Sequence, residues 1–198
     1  MIFNLKWDEF AKMIDKRIEH EEIDEFIDHL SASIKHTVSK LGNEYDSLTP
    51  DHFVNPEEID LYKDHLSDRM EIAKSSKLLG DELAIIALYK SIEIKTKKIV
   101  HHKIPSSCSL NLSYFKQLHQ AVPTITTLPN YDALNELRLI NNSIKHGGTV
   151  SEELSSAFPA WVQDENITGL DTVYNRLLPL VKIYFSAFVD EVYSISAP

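Results

Sequence analysis

Cysteine is almost missing from this chain. Cys108 stands alone among 198 residues, so no disulfide can form within one chain. A reducing, cytoplasmic setting is the expectation. Glycine is scarce as well, with 5 residues, which argues against a loop-rich all-β fold. Long apolar runs are lacking. The longest, "LAIIAL" at 83–88, falls far short of the roughly 20 residues that cross a bilayer. The N-terminal stretch "MIFNLKWDEFAKMIDKRIEH" has no apolar run of leader length and carries acids early, so neither a leader nor a membrane partner is expected.

Basic charge is short too. The chain holds 20 Lys and Arg against 30 Asp and Glu, a formal net charge of -10. The deficit is uneven: residues 1–68 carry 17 acids and 7 bases, and residues 69–198 carry 13 of each. Nonspecific nucleic-acid affinity comes from Lys and Arg on the phosphates, so the first third is a poor nucleic-acid surface and the rest is open to one. Phosphate-cradling glycine loops are absent, as is the Gly-x-Ser-x-Gly nucleophile turn.

Nine histidines raise the question of a metal. His29 and His36 lie seven apart beside Asp28, whereas helical metal sites place ligands three or four apart. Asp precedes His at 28–29, 51–52 and 64–65, the reverse of a His-Asp metal dyad. These histidines read as solvated, and no metal or cofactor is expected. Cys108, in "IPSSCSL", reads as incidental rather than as a catalytic thiol.

What the chain has is helical periodicity. Trp7, Phe10, Ile14 and Ile18 share one face, as do Ile23, Ile27, Leu30, Ile34, Val38 and Leu41. Gly42 is expected to stop the second helix. "NEYDSLTPDHFVNP", with two prolines, is the best linker, which divides the chain into an acidic helical hairpin with its linker, 1–55, and a helical domain, 56–198. In the second part Ile85, Leu88, Ile92 and Ile99 share a face, and Pro105 ends their helix. "LSYFKQLHQAV" reads as a short helix, and Asn130 as the cap of the next one. "PAWVQDENITGL" is irregular. The last helix starts near Asp171 with a stripe of Val173, Leu177, Val181, Tyr184, Phe188 and Val192, and Pro179 should kink it. The class is all-α, a helical bundle with an N-terminal hairpin.

One stretch stands out: "NELRLINNSIKHGG", Asn135–Gly148. At about 100° per residue, Leu137, Ile140 and Ile144 fall within roughly 60° and form a core face. Asn135, Arg138, Asn142 and His146 fall within roughly 80° on the opposite side, with Lys145 beside them. A solvent-facing helix end with cations near its C-terminus accounts for part of this pattern. The asparagines at 135, 141 and 142 weaken the helix without local gain, which points to a functional or interface role.

"INNSIKHGG" is similar to the N-box of histidine-kinase-type ATPases, but the Asp-x-Gly-x-Gly motif and glycine-rich lid of that family do not follow it. Residues 70–195 resemble the HEPN superfamily in the order of parts: the long helix "ELAIIALYKSIEIKTKKIV", the helix ending "RLINNSIKHGG", a Trp-containing loop and an aromatic-rich last helix. The resemblance implies a homodimer and a metal-independent endoribonuclease built on an Arg and a His with four to six residues between them. His146 would then move the proton, Arg138 would hold the phosphate, Asn142 would orient one of them, and Lys145 and Asn141 would touch phosphate. Seven residues separate Arg138 from His146 here, and Asn141 falls where the family's Arg would stand if the two asparagines are aligned to its Arg-polar pair. Lys97 and Lys98, in the basic segment from Lys90 to Lys103, are the candidates for an RNA-backbone track. A bacterial defence or toxin–antitoxin setting, with an antitoxin or other protein partner, follows from the resemblance alone. The competing expectation is a non-catalytic homodimeric interaction module whose polar stripe bonds across an interface.

Overall fold

A computed structural model of the chain describes residues 7–195. They form an all-α bundle of helices α1 (Trp7–Lys16), α2 (Glu21–Ser47), α3 (Glu58–Lys103), α4 (Phe115–Ala121), α5 (Tyr131–His146), α6 (Glu152–Ala157) and α7 (Leu170–Ile195). Short 3₁₀ turns occupy Pro50–His52 and Pro105–Ser109. The one β-type feature among the described residues is an isolated bridge between Thr149 and Asn166. Contacts divide the chain into two units. One comprises Met1–His20 and Ile85–Pro198, the other Glu21–Ala84.

The second unit pairs α2 with the N-terminal part of α3. The stripe Ile23, Ile27, Leu30, Ile34 and Val38 is half-buried, and Leu41 and Leu66 are fully buried. α2 does not stop at Gly42 but runs on to Ser47. A glycine inside a helix is unfavourable by only about 0.5–1 kcal/mol, and the extension is held to α3. Tyr62 donates to Glu44 Oε1 at 2.6 Å, and the Lys63 ammonium lies 4.9 Å from the Tyr45 ring centre. Gly80 lies inside α3, where a Cβ would fall on the Leu30 methyl. Its lack of a side chain lets α2 and α3 approach closely. The prolines at 50 and 56 both fall within this unit.

The first unit holds the larger core. α5 and α7 make its main helix pair. Leu137, Leu139 and Ile140 of α5 and Leu177, Val181, Phe185 and Phe188 of α7 are all buried, as are Ile85, Leu88, Ile92 and Ile99 of α3. Ile144, expected in the core, is half-buried one turn from the helix end. α1 docks on α7 through polar groups rather than its apolar face. Lys12 and Lys16 both reach Asp190 at 2.6 Å, and Tyr193 donates to Asp15 at 2.8 Å. Lys95 of α3 donates to the carbonyls of Ile14 and Arg17, closing the C-terminal end of α1. Trp7 and Ile14 are therefore left exposed. Pro179 lies within α7.

Candidate functional site

α5 positions the site, and both its ends are set by local chemistry. At its start Asn130 is left-handed, with φ at 59°, and its side chain makes no capping hydrogen bond. The capping role expected for this side chain is therefore not made. At its end the N–H groups of Gly147 and Gly148 both donate to the Ser143 carbonyl, Gly148 at 3.1 Å and with φ at 74°. This left-handed closure is the one the paired glycines suggest. The buried Ser143 hydroxyl lies 2.9 Å from the Ser151 hydroxyl, and Ser151 caps α6 by accepting from the Leu154 N–H. Backbone pairing of Val150 with Asp164 and Glu165, and of Gly148 with Ile167, ties the irregular loop to this exit.

Glu136 anchors the opposite side of α5. It is 7% exposed and accepts two hydrogen bonds from Arg176, at 2.9 and 2.7 Å, and one from the Trp161 indole at 2.9 Å. Burial pushes its carboxyl up, but the Arg176 and Trp161 hydrogen bonds and the Arg176 charge outweigh it, so the pKa lies below the usual range. The same contact raises Arg176. Trp161 thus marks a structural clamp. Glu136 gave no signal in the sequence beyond its position in a charged helix.

A cleft of about 280 Å³ opens on the other side of α5, within the first unit. Arg138, Asn135, Asn141, Asn142 and Lys145 line it from α5, with Glu93 and Thr96 from α3. Tyr89, Tyr114, Phe115 and Tyr131 give it aromatic walls, and Ile92, Leu112, Leu118, Ile125 and Leu134 give it aliphatic ones. An Asx turn, in which the Ser113 N–H donates to the Asn111 side chain at 3.2 Å, presents Tyr114 and Phe115 at the rim. Phe115 meets Tyr131, and Tyr131 meets Tyr184 in the core, at ring separations of 6.2 and 6.3 Å. Burial raises the Tyr89 and Tyr131 phenols, so both remain neutral donors at physiological pH.

Arg138 is held in this cleft. Its Nε and Nη2 donate to Asn135 Oδ1 at 3.2 and 3.0 Å, Nη2 also reaches Glu153 Oε1 at 3.0 Å, and the guanidinium lies 5.9 Å from the centre of the Phe115 ring. Asn141 is 1% exposed. Its Nδ2 donates to Asn142 Oδ1 at 3.3 Å, and its Oδ1 has no hydrogen-bond partner, the one such buried side-chain atom among the described residues. Leaving such an acceptor unpaired costs about 1–3 kcal/mol.

The expected site residues therefore separate. Arg138, Asn141, Asn142 and Lys145 share the cleft, but His146 does not line it and is exposed at the last position of α5. Lys145 stands about 20° around the axis from Arg138, whereas His146 stands about 80° around on the other side, at the last position of the helix. Lys97 pairs with Glu93 at 2.7 Å, and Lys98 is exposed; neither lines the cleft. Lys103 lies 4.1 Å from the Tyr193 ring centre, and Lys95 is committed to α1. The aromatic walls were missed, although Tyr131, Leu134, Arg138, Asn141 and Lys145 recur at spacings of three and four on one face.

Among the described residues no three His, Cys, Asp or Glu side chains are grouped to hold a metal, and no helix is long and apolar enough to cross a membrane. Fold and site together define an all-α bundle with a polar, aromatic-walled cleft against its central helix. Compared with family models, curated proteins and solved structures, the chain matches none.

Proposed function

We propose that this is a HEPN-like RNA-binding protein that holds single-stranded RNA in the α5 cleft. The observation that carries the reading is the gathering of Arg138, Lys145 and the asparagine amides against Tyr89, Tyr114, Phe115 and Tyr131. Stacking on aromatic side chains is worth about 1–3 kcal/mol per base and is open to any sequence, while Arg and Lys take the backbone. The charge distribution supports it. Residues 1–20 and 85–198 carry 14 acids and 14 bases, so the unit holding the cleft is neutral, and the whole excess of negative charge lies in 21–84.

The same arrangement favours binding over cleavage. An Arg–His ribonuclease needs both groups at one phosphate, and His146 stands outside the cleft that holds Arg138. The reading as a homodimeric interaction module rests on a different observation: Trp7, Phe10, Met13 and Ile14 of α1 are exposed apolar groups in succession.

Anisotropy of a short labelled single-stranded RNA, with and without EDTA, tests the binding reading, and a denaturing gel of the same samples tests cleavage. The expected result is metal-independent binding of intact RNA, weakened roughly ten-fold or more by Arg138→Ala, a charge-assisted contact. Metal-independent scission lost in His146→Ala would replace binding with catalysis. Absence of binding, with a dimer that Trp7→Ala dissociates, would favour the interaction module.

A further inference from the structure

The unpartnered carbonyl of Asn141 says which bases the cleft selects. The inference rests on the RNA reading above. Asn141 lines the cleft and is 1% exposed, and its Nδ2 is already engaged by Asn142. The group it leaves over is an acceptor, Oδ1, with no donor against it. No protein donor reaches this buried acceptor, so it is open to a donor from a bound molecule. The terminal torsion of Asn is broad, so the amide can turn its carbonyl toward an incoming group by giving up the long 3.3 Å contact with Asn142.

We propose that Asn141 accepts a hydrogen bond from the exocyclic amino group of a base (adenine, cytosine or guanine) stacked among the cleft's aromatic rings. An amino group brings an N–H donor to Oδ1. Uracil brings one N–H flanked by two carbonyl oxygens, which would oppose the Asn141 and Asn142 oxygens. The space suits this scale: about 280 Å³ lies at the lower end of ligand pockets, room for one base and not for a duplex. Arg138 and Lys145, on the same helix face, are placed to take the phosphate of that nucleotide.

The test deletes the ligand's amino group and leaves the protein untouched. Anisotropy is measured for oligo(A) and for the same oligomer built from purine riboside, which is adenosine without that amino group. The wild-type chain should bind oligo(A) roughly five- to ten-fold more tightly, the loss of one hydrogen bond at a buried acceptor. In Asn141→Leu, similar in volume and without an acceptor, the two oligomers should bind alike. Equal wild-type affinities overturn the inference and leave the RNA reading standing. A preference that persists unchanged in a folded Asn141→Leu overturns the assignment to Asn141. Failure of both oligomers to bind removes the RNA reading and the inference with it. If Asn141→Leu does not fold, Asn141→Ala takes its place with the same two expected outcomes.

Discussion

At the scale of single residues, the site is governed by what its side chains already hold. Arg138 is shared between Asn135 and Glu153, and the Glu153 carboxylate is 65% exposed. An exposed ion pair of this kind is worth only about 0–1 kcal/mol. On the RNA reading, a phosphate would compete with Glu153 for the guanidinium at little cost. Glu153→Gln should tighten RNA binding by roughly two- to four-fold, read by anisotropy, because the competing charge is gone. Unchanged or weaker binding would mean that Glu153 positions Arg138 rather than competing for it. Glu136 is the structural counterpart. Its carboxyl is held below the ordinary Glu range, so the stability it contributes is complete above the unfolded-state value and is lost as pH falls through the folded-state value. Glu136→Gln should lower stability by about 1.5–3 kcal/mol at neutral pH. Denaturant melts of the variant should change less with pH than those of the wild type below about pH 5. Parallel pH curves for the two proteins would remove Glu136 from the acid response.

At the scale of elements, apolar periodicity made the helices legible, and partner contacts decided where they ended. The stripes of α2, of the C-terminal part of α3, and of α7 were readable because each places apolar groups every three or four positions. Gly42 misled because α2 is carried past it by Tyr62 and Lys63, contacts from a distant segment that no local rule contains. α1 misled in another way: its apolar face exists, but lysines from the same helix reach Asp190 and leave Trp7 outside. The end of α5 is set by its paired glycines, since glycine adopts φ near 74° with the least strain. Gly148→Ala should therefore lower stability by about 1 kcal/mol, measured as a lower urea midpoint with unchanged slope. A midpoint equal to wild type would show that the exit of α5 relaxes freely.

At the scale of the whole molecule, the sequence carried the site's polar half and concealed the other. Arg138, Asn141, Asn142 and Lys145 stood out by composition within one helix. Tyr89, Tyr114 and Phe115 come from α3 and from the segment entering α4, and only the tertiary fold brings them to α5. His146 belongs to the same polar stripe on a helical wheel, about 80° of rotation from Arg138, and does not line the cleft. Charge is also segregated at this scale. The Glu21–Ala84 unit carries 16 acids and 6 bases, against a balanced remainder. Phosphate backbones avoid such a surface, so RNA contacts should map to the balanced unit alone. Ultraviolet crosslinking of unmodified single-stranded RNA, followed by peptide mapping, measures this most directly. Adducts on Tyr114, Phe115 or Tyr131, reduced in Arg138→Ala, are the predicted result. Adducts confined to other surfaces, such as the Lys98 side of α3, or no adducts at all, would contradict the assignment of the α5 cleft to RNA.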